Sequence, residues 1–361
     1  MIYIDNAATT PLCNAAKHAI TKHLDAYGNP SSSYEFGRQS RLLIEDAREC
    51  IAKCINAEPD EIYFTSGGSE ANSWVTNNYM TVSSGIEHHS LKAHYNKIIM
   101  DCTGIVNPQH FSSIDHRLSR LFELMSCMHI NNELGTIQPI KDIARLAHGK
   151  GILFHTDAVQ SVGHIPVDVK ELECDILSAS GHKFGAPKGV GFLYVKNGVK
   201  ISPLIHGGRQ EQGIRGGTEN ILGIVSMAAA LKDAVDNMEW RNKYIKNLRD
   251  DMLKKLLQIE GAHLNGSFRE RVASNINIRF DGVLASRLVA LCDLHEVCIS
   301  SGSACNEGQA TPSHVLKAIG LSDEDALNSI RITIGYQNTQ FEIEQAAIII
   351  TKLVARIREE K

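Results

Sequence analysis

Short apolar segments recur along the first half of this 361-residue chain, and each runs into small or polar residues before a helical pattern follows. Residues 61–65 lead into Ser66-Gly67-Gly68-Ser69. Residues 152–156 lead into Asp157, and residues 174–179 into Ser180-Gly181-His182-Lys183. Residues 124–130 and 189–195 give two more such segments. Between them lie helical periods, over 38–56 with Leu42, Leu43, Ala47, Ile51 and Ile55 on one side, and over 140–148 before Gly149 and Gly151. Buried strands alternating with amphipathic helices predict an α/β domain with a largely parallel sheet. Ser69 is expected to cap a helix starting near Glu70. One long helix over 221–256 then links to a smaller α+β domain that closes with a helix over 341–358.

Composition narrows the function classes. A hydrophobic fraction of 43%, a charged fraction of 22% and a net charge of −4 are ordinary for a globular protein and give no reason to expect nucleic acid as a partner. No apolar run is long enough to cross a bilayer, and the start Met1-Ile2-Tyr3-Ile4-Asp5 carries no secretory pattern. Nine scattered cysteines do not form a disulfide framework. Cys50 and Cys54 lie four apart with no second ligand pair at zinc-finger spacing. The expected compartment is the cytoplasm.

Open α/β sheets bind ligands at the C-terminal ends of their strands. The turn at 65–70 reads there as a phosphate site, because glycines before a helix let backbone N–H groups approach an anion. A tight turn with a serine cap is the alternative. Asp157 reads either as a helix cap or as the partner of a protonated pyridine nitrogen. Lys183, among small residues, reads as an amine able to lose its proton and condense with an aldehyde. A solvated loop lysine describes Lys188 better. Cys305, in a run of serine and glycine, reads as an exposed nucleophilic thiol on a mobile loop. Cys127, Cys174 and Cys292 have apolar neighbours and read as core thiols.

Taken together these segments resemble the cysteine desulfurases, fold-type I pyridoxal-phosphate enzymes of the class V aminotransferase group. The resemblance spans nearly the whole chain. It opens with Tyr3-Ile4-Asp5-Asn6-Ala7-Ala8-Thr9-Thr10-Pro11 and includes Asn131-Asn132-Glu133-Leu134-Gly135 and the Ser-Gly-His-Lys run. It ends with Ser300-Ser301-Gly302-Ser303-Ala304-Cys305 and Arg331-Ile332-Thr333-Ile334-Gly335. The resemblance implies a large domain over 12–245 and a small one from 1–11 and 246–361. It implies that Lys183 carries the cofactor and moves protons, Asp157 holds the ring nitrogen and Gln160 the ring hydroxyl. Gly68, Ser69, Ser180 and His182 would bind the phosphate, joined by Thr218 from a second subunit of a homodimer. His88 would stack on the ring, although its neighbour His89 competes for that role. Asn132 and Arg331 would bind the substrate carboxylate.

By the same resemblance, L-cysteine becomes L-alanine, and Cys305 takes the sulfur as a persulfide. The acceptor would be a protein such as an iron–sulfur scaffold, with Cys305 as a transient cluster ligand. Three departures stand out. Tyr34 replaces a usual histidine, the region 75–130 is short, and Tyr336 stands where a basic residue is common. Selenocysteine lyase, another class V enzyme, and a catalytically degenerate sulfur carrier or scaffold remain alternatives.

Overall fold

The computed structural model describes residues 1–91, 93–98, 101–109, 121–302, 305–306 and 309–360, excluding the side chains of 95–98, 305–306 and 309–310. The strands are β1 (Ile2–Tyr3), β2 (Ile62–Thr65), β3 (Thr81–Ser84), β4 (Tyr95–Ile98), β5 (Leu124–Ser126), β6 (Leu153–Asp157), β7 (Ile176–Ser180), β8 (Gly191–Val195), β9 (Ala262–Leu264), β10 (Asn275–Phe280), β11 (Val297–Cys298), β12 (Ser300–Ser301), β13 (Cys305–Asn306), β14 (Gln309–Ala310) and β15 (Ser329–Thr333). The main helices are α1 (Asn14–Lys22), α2 (Glu35–Cys54), α3 (Gly68–Asn78), α4 (Ile140–Gly149), α5 (Ile221–Asp236), α6 (Met238–Leu256), α7 (Ala285–Leu294), α8 (His314–Ala318), α9 (Asp323–Leu327) and α10 (Gln340–Glu359).

Seven strands form one sheet in the order β2-β8-β7-β6-β5-β3-β4. The run from β4 to β7 is parallel, while β8 is antiparallel to β7 and to β2. Every residue of β7 and β8 is buried, which explains their mostly apolar character; the buried Ser178 of β7 meets His155 Nε2 at 2.9 Å. The core on this sheet includes Phe154, Leu177, Ala179 and Phe192. A second core gathers on an antiparallel sheet of order β12-β15-β10-β9 and takes in Ile4, Ile276, Ile330, Ile350 and the buried face of α6. β1 pairs in parallel with β11, so the first residues belong to this smaller layer.

Three local expectations change. The helix over 221–256 is two helices, α5 and α6, parted at Asn237. The Asn237 side chain donates to the Asp233 carbonyl at 2.8 Å and accepts from Trp240 Nε1 at 2.7 Å, so it competes with the helical ladder. Ser69 does not cap α3, because the N-cap is Gly67, at φ +150°. Ser69 instead enters the first helical turn. The segment 124–130 keeps strand pairing only to Ser126, and Ile130 bridges Ile137 across the turn at Gly135. No described helix is long and apolar enough to cross a membrane.

Gly191 lets the 65–68 turn lie close against the sheet. A Cβ there would stand 2.5 Å from the Ala179 carbonyl oxygen and 2.7 Å from Gly67 Cα. Both obstacles are backbone. Gly191→Ala is expected to lower stability by about 1–3 kcal/mol, read as a fall in the denaturant midpoint. An unchanged midpoint would show that the sheet and the turn separate freely.

Candidate active site

The parallel pairing of β6 with β7 puts their C-terminal ends on the same edge of the sheet, with Asp157 opposite Ser178. α3 begins at that edge, just after β2. These ends open on one cavity of about 360 Å³. Gly68, Ser69, His88, Asn132, Asp157, Gln160, Ser180, His182, Lys183 and Arg331 all line it. Thr218 lies exposed beyond Gly217 and does not line the cavity of a single chain. The backbone of Cys305 pairs with Ala310, but its side chain lies outside the described residues.

Lys183 ends a short 3₁₀ turn that follows β7. Its Nζ donates to the carbonyls of Ala7 at 2.6 Å and Ala8 at 2.7 Å. Burial and the Arg331 guanidinium push this amine down to about 8, against the pull of Asp157 and Asp5. A useful fraction is therefore uncharged near neutral pH, as a nucleophilic amine requires.

Asp157 is buried at the end of β6. Its Oδ2 accepts from Asn72 Nδ2 at 2.7 Å, and its Oδ1 accepts from the Val159 amide at 2.9 Å. Asn72 also reaches Ser90 Oγ at 2.9 Å and leaves its buried Oδ1 without a partner. Sequence reasoning passed over Asn72. The signal was its spacing, four residues after Gly68 on the same face of α3.

Gly68 stands where a Cβ would meet Val159 Cγ2 at 2.6 Å. The N-terminus of α3 receives no side-chain cap, so its first amides remain available for an anion. Glu70, in that first turn, is neutralised by Arg215 through contacts of 2.9 and 3.0 Å. Ser180 Oγ lies 3.4 Å from the place of a Gly67 Cβ. His182 holds Thr9 Oγ1 at 3.1 Å, and burial with Lys183 and Lys188 pushes it down to about 4, so it is neutral.

His88, not His89, faces the cavity. His88 Nδ1 meets Ser90 Oγ at 2.7 Å, whereas the His89 ring packs 4.6 Å from His314. Burial, then the charge on Lys183 and the neighbouring His89, holds His88 below the usual histidine value, although Asp157 pulls the other way. Arg331 donates to the Asn132 carbonyl at 3.1 Å and to Asp5 Oδ1 at 2.8 Å, while its buried Nε has no partner. Gln160 donates to the Ala7 carbonyl at 3.0 Å. The pocket thus combines a glycine cradle on an uncapped helix, a buried carboxylate, an amine of lowered pKa and an arginine with a free donor. That set fits pyridoxal phosphate. Gly68, Ser69, Ser180 and His182 would hold its phosphate, Asp157 its ring nitrogen and Lys183 its aldehyde carbon.

Glu87 lies just behind this wall. Its Oε1 accepts from Ser84 Oγ and from the Met128 amide, and its buried Oε2 has no partner. Cys127, Cys174 and Cys292 are buried as expected, and burial drives each thiol upward.

The class-V aminotransferase family model matches residues 2–346. A cysteine desulfurase IscS of Methanosarcina thermophila is 39% identical over 379 residues, covering 99% of this chain and 93% of the relative. One from Dictyoglomus turgidum is 40% identical, covering 99% and 95%. A NifS-like protein from Rickettsia africae superposes with a TM-score of 0.90 at 32% identity, covering 99% of each chain. A structure of SspA in complex with cysteine superposes at 0.79 with 31% identity, covering 94% of this chain and all of that one.

Burial raises the Glu87 carboxyl to about 8, with the nearby Asp157 adding to the rise while Ser84 and Met128 oppose it. The folded state therefore keeps this proton where the unfolded chain releases it. Stability from this group is full below the unfolded value near 4.5 and falls as pH rises toward 8. Glu87→Gln is expected to remove that slope and to exceed the wild type at pH 8.5 by a few kcal/mol. Denaturation midpoints at pH 5.5 and 8.5 decide it; parallel shifts in both proteins would refute a buried, protonated Glu87.

Proposed function

Because the chain belongs to the class-V aminotransferase family, we propose that it is a pyridoxal-phosphate-dependent cysteine desulfurase. L-Cysteine is converted to L-alanine, and its sulfur passes to Cys305 as a persulfide. The observation that carries this reading is that one cavity is lined by both the Lys183 amine of lowered pKa and the buried Asp157 carboxylate.

The cofactor, when bound, supplies an electron sink that acidifies the substrate Cα–H and weakens the β-carbon–sulfur bond. The chain's own residues do the rest. Asp157, oriented by Asn72, holds a proton on the ring nitrogen. Lys183 takes the proton at the substrate Cα and returns one. Arg331 offers its unpartnered Nε and remaining donors to the substrate carboxylate, with Asn132 beside it. His88, which lines the cavity and is held by Ser90, would lie against the cofactor ring and move a proton near the leaving sulfur. The Cys305 thiolate forms the sulfur–sulfur bond as the carbon–sulfur bond breaks. The carbon keeps the electron pair and is protonated to alanine. Gln160 binds the ring hydroxyl.

The same reading includes a homodimer in which Thr218 of one subunit completes the phosphate site of the other. An iron–sulfur scaffold protein serves as sulfur acceptor, and Cys305 acts as a transient cluster ligand. The eight cysteines whose side chains are described are all free thiols, which suits a reducing cytoplasm. The reading also includes a large domain over 12–245 and a small one from 1–11 and 246–361. Ile4 in the second core supports joining the first residues to the small domain, while Ile245 in that core and Val315 and Leu316 in the first cross the boundary.

Holoenzyme given L-cysteine and a reductant should release sulfide and alanine in equal amounts. Lys183→Ala should abolish both. Cys305→Ser should stop sulfide release yet leave cysteine binding intact; unaltered turnover in that variant would favour an aminotransferase. Cofactor uptake by the apoprotein should speed up about tenfold per pH unit below 8, because only the unprotonated amine attacks the aldehyde. A pH-independent rate would contradict the lowered Lys183 value.

A further inference from the structure

Two motifs singled out in the sequence, Asn131-Asn132-Glu133-Leu134-Gly135 and the run ending at Cys305, meet at one buried carboxyl that the chemistry above does not use. Ser313 Oγ donates to Glu133 Oε2 at 2.5 Å. That hydroxyl also accepts from the amides of Val315 at 3.1 Å and Leu316 at 3.3 Å as the cap of α8. Its single hydrogen is thereby committed to Glu133. The same Oε2 lies 2.6 Å from where a Cβ on Gly302 would stand, so Gly302 packs directly on the carboxyl. Glu133 itself is anchored. Its carbonyl accepts from Asn275 Nδ2 at 3.0 Å and Asn277 Nδ2 at 3.2 Å, and its amide donates to Asn131 Oδ1 at 2.9 Å.

Resting on the reading that Cys305 receives the sulfur, we propose that Glu133 is a positioning residue for sulfur transfer, whose carboxyl clasps Gly302 and Ser313 on either side of the segment that carries Cys305. Cys305 is three residues past Gly302, so the clasp confines its Cα to within roughly 10 Å of that anchor. Both flanks also touch the active site. Ser300 pairs with Arg331 across β12 and β15, and His314 Nε2 meets the Glu87 carbonyl at 2.9 Å. Holding a segment at both ends reduces the conformations that must be searched before sulfur transfer.

Burial raises the Glu133 carboxyl to about 7, while Ser313 and Arg331 oppose the rise. Among the described residues, β15 faces it with the Arg331 charge, β10 with the neutral Asn275 and Asn277, and α8 with the Ser313 hydroxyl.

The test is single-turnover persulfide formation on Cys305 in holoenzyme, read by alkylation and mass spectrometry from pH 6 to 8.5. Cysteine affinity is measured by absorbance titration in a Cys305→Ser background. Glu133→Ala should slow persulfide formation on the order of a hundredfold with affinity little changed. Ser313→Ala should match it, and the double variant should be no slower than either alone. Glu133→Gln, whose amide oxygen still accepts from Ser313, should recover most of the rate and lose its change with pH near 7. Wild-type rates in Glu133→Ala, equal losses of rate and affinity, or additive losses in the double variant would overturn the proposal. If Glu133→Ala does not fold, Ser313→Ala and Gly302→Ala decide it by the same criteria. If wild-type Cys305 forms no persulfide, the proposed function fails instead. The clasp is then judged by Cys305 alkylation rates in cofactor-free protein, which should differ between wild type and Ser313→Ala; identical rates would refute it.

Discussion

The pairing of β6 with β7 is the constraint on which the site depends. Parallel strands deliver their C-terminal ends to one edge, so Asp157 and the turn bearing Lys183 face the same space. An antiparallel pair would have sent them to opposite edges. Buried on both faces, these strands cannot slip by a residue without turning Asp157 away from Asn72. The chemistry thus inherits its precision from a register held by core packing.

The N-terminal segment performs the second task. Asp5 pairs with Arg331 at 2.8 Å, and the carbonyls of Ala7 and Ala8 hold the Lys183 amine. Thr333 fixes this segment in turn, through its side chain to the Ala7 amide and its carbonyl to the Asn6 side chain. A few residues therefore tie β15 of one layer to the lysine turn of the other. The Asp5 charge works against the Arg331 charge at Lys183, and burial with Arg331 still prevails. The net result is an amine that is stable in the fold yet ready to lose its proton.

Much of the site was legible from residue order. The glycine turn, Asp157 and the Ser-Gly-His-Lys run each follow or end a strand, and strand ends are where such folds bind ligands. Arg331, in mid-strand of β15, was legible only through the family resemblance. Helix limits were less legible. Asn237 breaks the 221–256 helix through side-chain bonds to Asp233 and Trp240, and both partners suit an unbroken helix equally well on paper. The supporting residues were hidden for a different reason. Asn72, Asp5 and Glu133 are ordinary polar residues in sequence, and only burial beside a charged partner gives them a task.

By itself the sequence determined the alternation of strand and helix, the apolar runs that must be buried, and which residue types end each strand. Those are local properties, set by side-chain chemistry and periodicity. Tertiary structure alone decided that His88 rather than His89 lines the cavity, that the lysine amine is lowered to about 8, and that Glu133 touches both Gly302 and Ser313. Each depends on desolvation or on contact between residues far apart in the chain, and neither quantity exists until the layers close on one another.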